Sequence, residues 1–297
     1  MIVTDQIKLS FASLKIVIDA RDSGIQLTVP PIFNKFLVET NFSKQPESEL
    51  SETLQLQVVH ESQNPGQVRG NPLCRTPIWE LWIDESGDFV FVSPRQSPPK
   101  RVTIGRTFQK GVVNFDFSSL HGREIYPLES IDIRIAVNWL ANFGDLILHA
   151  SGVAVGSQGY CFVGASGAGK STLIKDLTDQ GELTILGEDQ IILRYLSGEF
   201  WIFGTPWHEY EDRCSPIGVP LKKIFFLDRH QIPGIKKYPA SEGVTKILQT
   251  AFVPYYLPDK LPRIMDQLSL LSAKIPFYQL SYQLGTPVLP AIIEQEI

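Results

Sequence analysis

Residues 164–174 read GASGAGKSTLI, and the fold around them follows from what this loop requires on either side. Gly164, Gly169, Lys170 and Ser171 fit the pattern G-x-x-x-x-G-K-S, with the apolar YCFV before it and STLIKDLTDQG running on from it. A buried strand, a glycine loop and a helix in that order make a phosphate-binding unit. The glycines permit backbone conformations closed to other residues, so the amides of Ala165, Ser166, Gly167, Ala168, Gly169 and Lys170 can converge on phosphate oxygens. Lys170 supplies a charge for the β and γ phosphates, Ser171 offers its hydroxyl to Mg²⁺, and Thr172 closes the nucleotide-binding stretch at the positive end of the helix. A bare connecting turn explains neither Lys170 nor Ser171. The lysine is expected to be exposed and to add little to the core.

The flanks narrow the chemistry. Glu188 and Asp189, in LGEDQIIL, lie 18 and 19 residues past Lys170, at the end of the strand expected after the loop helix. Transporter-type ATPases share the loop wording, but their metal carboxylate lies on the order of a hundred residues downstream, behind an LSGGQ signature. Here LSGE at 196–199 is only a fragment and follows the carboxylates, so that class is excluded. His149, in LHASGVAV, stands 21 residues before Lys170, where an antiparallel hairpin through GSQG returns it to the phosphate site. A lone histidine is ordinarily structural; this spacing favours a functional one.

Beyond the site, 297 residues with 43% hydrophobic and 20% charged side chains imply a globular chain of two domains. A net charge of −5 provides no basic field for nucleic acid or an anionic membrane surface. No apolar run reaches the length of a membrane span, the N-terminus does not read as a signal peptide, and a cytoplasmic location is the expectation. Cys74, Cys161 and Cys214 are three widely spaced thiols, read as reduced, with Cys161 on a buried strand. Residues 1–125 carry short alternating runs (IKLSFASLKIVIDA, LQLQVVH, IWELWID, DFVFVS, VVNFDF) between turns and read as a β-rich domain of unknown role. The period changes at YPLESIDIRIAVNWLANFG, where Leu128, Ile131, Ile135 and Trp139 share a helical face, with Pro127 suited to the first turn and Gly144 to the stop. A second domain is therefore expected over 126–297, its tail from 240 onward read as helices separated by prolines.

The ordered set LHASGVAV, GASGAGKST and LGEDQIIL, with GTPWHEYEDR beyond, resembles the HPr kinase/phosphorylase family and its bacterial HPr kinase-like relatives over residues 126–230. The resemblance implies an α/β, phosphoenolpyruvate carboxykinase-like P-loop domain that uses ATP and Mg²⁺ to phosphorylate a serine hydroxyl. Carried over by position, Asp189 is the proton acceptor, His149 the histidine near the reacting phosphate, and Ser171, Glu188 and Glu211 the metal side. Trp207, His208 and Arg213 fall on the acceptor side. For Glu211 and Arg213 the alternative is a solvated charge cluster, and for Trp207 and His208 a packed loop with an exposed imidazole. The chain departs from the family where HG becomes His149-Ala150 and where paired aspartates become Glu188-Asp189, and its β-rich region does not resemble the classical regulatory domain. The acceptor is therefore expected to be a serine-bearing molecule other than HPr. A homo-oligomer stays open, since family members form hexamers. So do a simple NTPase and a nucleotide-dependent binding module with no acceptor.

Overall fold

The computed structural model describes residues 2–38, 52–62, 68, 70–120, 124–208, 213–228 and 233–294. The chain has α/β character, with mixed sheets and a few helices, and divides into two compact units at Trp139–Leu140. The division thus falls later than residue 126, inside the helix Asp132–Ala141. Packing explains the shift. Leu128, Ile131, Ile135 and Trp139 are all fully buried, and Trp139 stacks on Phe108 at 6.1 Å while its indole donates to Glu52 at 3.0 Å, both partners in the first unit. Pro127 lies in the turn ahead of the helix rather than in its first turn, and Gly144 does follow its end with a left-handed φ of 80°.

In the first unit an eight-stranded sheet follows from period-two sequence. Gln6–Phe11 and Leu14–Asp19 alternate buried and outward residues and pair as a hairpin, turned by Ala12 and Ser13 at positive φ. Glu52–His60 pairs in parallel with both Leu14–Asp19 and Lys110–Phe115, and the sheet continues through Lys100–Ile104, Phe89–Ser93, Glu80–Ile83 and Cys74–Arg75 in antiparallel steps.

The second unit is built on a nine-stranded mixed sheet. At its centre Gln158–Val163 runs parallel to Gly218–Leu227, which runs parallel to Phe277–Ser281. Ala150–Val155 is antiparallel to Gln158–Val163 on one side and to Thr184–Gly187 on the other. The central strands read as continuous apolar runs because both faces are covered. Tyr160, Phe162 and Phe225 pack against Leu173, Ile174 and Leu177 of the loop helix Lys170–Gln180. Cys161, Val163, Ile224 and Phe226 turn the other way, into the cluster of Ile247, Ile264, Leu268 and Leu271 from the helices Ala240–Thr250 and Leu261–Lys274. These two helices match the tail reading, which did not anticipate the strand Phe277–Ser281; the short strand Gly234–Lys237, just ahead of that tail, pairs with it. The buried Cys161 thiol is pushed up to about 12, and none of the three cysteines is in a disulfide. Among the described residues no helix is long and apolar enough to cross a membrane.

This topology gathers one edge. The carboxyl ends of Thr184–Gly187, Gln158–Val163 and Gly218–Leu227 and the amino end of Ala150–Val155 all point to the same side of the sheet. In order along that edge come Asp189, His149, the glycine loop and Asp228. Such an edge is where open α/β sheets place ligands.

Candidate functional site

The loop's geometry follows from its glycines. Gly167 and Gly169 take left-handed φ values of 78° and 95°, open to glycine at little cost. Gly164 is needed for closeness instead: a Cβ there would stand 2.8 Å from the Cβ of Ala168, so a larger residue would hold the loop open. The Ala168 amide donates to the Ala165 carbonyl at 3.0 Å, closing the turn. The helix then starts at Lys170, and no side chain caps its first turn, so its positive end serves the loop.

Contrary to expectation, Lys170 is buried, at 6% exposure. Its ammonium donates to the Gly164 carbonyl at 2.8 Å and meets His149 Nε2 at 3.1 Å. An ammonium has only protons to give, so Nε2 accepts and the ring proton sits on Nδ1. Burial, followed by the Lys170 charge, pushes the His149 imidazole below its ordinary value, while Asp189, through its charge and a backbone hydrogen bond, opposes this. Burial likewise lowers the Lys170 ammonium, again opposed by Asp189. The pair is therefore compatible in one state, charged lysine beside neutral histidine. The histidine reaches this place because Ala150 pairs with Val163, leaving His149 beside the first loop glycine, and its backbone amide is tied to the Thr250 carbonyl at 2.8 Å.

The two residues of Glu188-Asp189 face different surroundings. Asp189 is exposed at the sheet edge. Glu188 is buried at 7% exposure, its carboxylate accepts from Arg213 Nη1 at 3.0 Å, and its carbonyl accepts from the Ser151 hydroxyl. Structure thus brings Arg213 to Glu188, while Glu211 lies outside the described residues. His208 is not an exposed imidazole: its ring packs on Gly187, where a Cβ would stand 2.6 Å from it, and its Nε2 meets the Thr205 hydroxyl at 3.1 Å. Burial pulls this imidazole down to about 4. Trp207 is half-buried in the same loop.

Ser171 is exposed on the first helical turn. Among the described residues no cluster of three His, Cys, Asp or Glu side chains could hold a metal. The Ser171 hydroxyl is a hard oxygen of the kind magnesium takes, a cation that draws most of its ligands from phosphate and water.

A cavity of about 750 Å³ opens beside the loop, walled by Gly164–Ala168, His149, Asp228, Lys246, Gln249 and Phe252. Three of these polar residues, Asp228, Lys246 and Gln249, were not singled out in the sequence. Asp228 had a signal: IFFLD at 224–228 is a buried apolar strand ending in a carboxylate. Lys246 and Gln249 had none, because they look like the polar face of an ordinary amphipathic helix.

No family model matches the chain, and no curated protein does. Among solved structures, the Hpr(Ser) kinase/phosphatase from Coxiella burnetii is similar to it at 15% identity and a TM-score of 0.27, over 48% of this chain and 84% of that one.

Proposed function

We propose that the second unit is an ATP-dependent phosphotransferase of phosphoenolpyruvate carboxykinase-like P-loop architecture, which passes the γ-phosphoryl group to a serine hydroxyl on a protein, peptide or small molecule. The observation that carries the reading is the junction of Lys170 and His149 beside the left-handed glycine loop, with Asp189 next along the same sheet edge. Phosphoryl transfer asks for positioning and charge more than for covalent chemistry, and this edge supplies both. The loop amides and Lys170 bind and orient the triphosphate. Magnesium, when bound at Ser171, neutralises charge on the phosphate oxygens. Asp189, exposed and reachable, takes the proton from the serine Oγ as the new O–P bond forms and the bond to the β-phosphate oxygen breaks. His149, kept neutral by burial and by Lys170, orients the Asp189 turn through its backbone hydrogen bond. The ordered motifs at His149, the loop and Glu188-Asp189 support the same assignment.

The test is γ-phosphate transfer to serine-bearing acceptors alongside nucleotide binding. Asp189→Asn should bind ATP like the parent and transfer roughly 10²- to 10⁴-fold more slowly, the scale of a lost general base. Equal transfer by the variant would refute the role of Asp189. ATP hydrolysis by the parent with no phosphorylated acceptor would replace the kinase with a simple NTPase, and binding without turnover would make the unit a nucleotide-dependent binding module.

A further inference from the structure

We infer that Asp228 is the protein carboxylate that meets the divalent cation of a bound nucleotide, a place the family resemblance gives to Glu188 and Glu211; this rests on the nucleotide-binding reading of the loop. Four observations converge on it. The strand Gly218–Leu227 is the parallel neighbour of the strand that delivers the loop, and Val163 pairs with Phe226. A Cβ on Gly164 would stand 3.4 Å from the Cβ of Leu227, so the two chains leave the sheet side by side, and Asp228 is the next residue. Asp228 also walls the cavity that Gly164–Ala168 and His149 line. Its position is fixed from the next strand: Oδ2 accepts from Gln279 Nε2 at 2.6 Å, and its backbone amide donates to the Leu280 carbonyl at 3.0 Å.

Glu188 fits the metal role less well. Its carboxylate is buried and bonded to Arg213, so turning it to a cation would break an ion pair and leave the guanidinium without that partner. At Asp228 the Gln279 amide donates to Oδ2 and so orients the carboxylate. Magnesium needs few protein oxygens, so one aspartate on the loop's flank and the Ser171 hydroxyl are sufficient.

The experiment measures Mn²⁺ binding by electron paramagnetic resonance to the full chain with saturating ADP, so that no turnover enters. ADP affinity in EDTA is measured on the same preparations. Asp228→Asn should weaken Mn²⁺ binding by about tenfold or more, as loss of a metal-site group does, with metal-free ADP affinity unchanged. Glu188→Gln should bind Mn²⁺ like the parent. Parent-like Mn²⁺ affinity in Asp228→Asn overturns the assignment, as does a loss seen in Glu188→Gln alone. If Asp228→Asn also loses metal-free ADP binding, Gln279→Leu decides, because it removes the amide that orients Oδ2 and keeps the charge: a reduced Mn²⁺ affinity supports the assignment and an unchanged one overturns it. Failure of the parent to bind ADP under either condition removes the nucleotide reading itself, and Asp228 falls with it.

Discussion

Acidification should destabilise the second unit through His208, by an amount that can be worked out. Its imidazole is held down to about 4 from an ordinary 6.5, with burial the largest cause and the charge of Asp189 opposing it. The folded value lies below the unfolded one, so between these limits the unfolded chain binds more protons and stability falls as pH falls. The contribution is complete above pH 6.5 and is lost progressively toward pH 4. Linkage between those two values gives a loss of about 2 kcal/mol between about pH 7 and pH 5, an upper figure because the ring is only partly enclosed. Urea unfolding of the parent and of His208→Gln, compared at the two pH values, isolates this residue, since every other titrating group is common to both chains. The parent should lose more stability than the variant by nearly that amount. A stability difference that stays constant between the two pH values would show that His208 titrates normally, and the buried placement of the ring on Gly187 would be wrong.

Two further outcomes follow from the loop. Lys170→Met keeps the buried stem and removes the charge, so ATP affinity should fall by roughly 10- to 100-fold, the cost of a lost charged hydrogen bond, and the thermal midpoint should fall as the Gly164 carbonyl and His149 Nε2 lose this donor; calorimetry of binding and unfolding reads both. Gly164→Ala should weaken nucleotide binding far more than Gly167→Ala, because the first Cβ meets Ala168 at 2.8 Å while the second meets nothing within 4 Å and bears only left-handed backbone strain. Equal losses in the two variants, measured by the same titration, would mean that strain rather than crowding shapes the loop.

What could be read in the sequence is what local chemistry encodes. The loop glycines, the hairpin turn at Gly156 and the apolar runs carry their own signals, and the spacing of His149 became its position because Ala150 pairs with Val163 across that short hairpin. Burial of Lys170 was not legible, because it depends on the His149 ring covering an amine that motif reasoning leaves in solvent. The strand Phe277–Ser281 was missed for another reason: FYQLS, five residues after Pro276 that mix apolar and polar side chains, is too short to show a period that separates strand from helix. Its pairing with Gly218–Leu227 is a long-range fact, and so is the hold of Gln279 on Asp228. Gly187 stands between these cases. It reads as part of a strand end, yet its lack of a side chain is what lets His208 lie against the sheet.

The sheet edge also explains why two carboxylates and one cation can divide the work proposed for them. Lys170 carries the buried positive charge of the loop, and it can remain charged there because its neighbour His149 is neutral and the Gly164 carbonyl accepts from it. Protonating His149 would set a second cation 3.1 Å from the first, so the arrangement selects the state in which the charge points at the loop. Asp189 and Asp228 then lie on opposite sides of the loop strand in the order of the sheet, separated from each other by His149 and the loop. A triphosphate seated on the loop amides would have one carboxylate on each flank. In the reading proposed above, Asp228 meets the cation and Asp189 meets the incoming hydroxyl, so the metal need not share a ligand with the proton acceptor. A carboxylate bound to Mg²⁺ is a poor base, because the cation holds the electron pair that must take the proton. Placing the two functions on different strands removes that conflict, and it is why exchanging Asp189 should change transfer while exchanging Asp228 should change metal affinity.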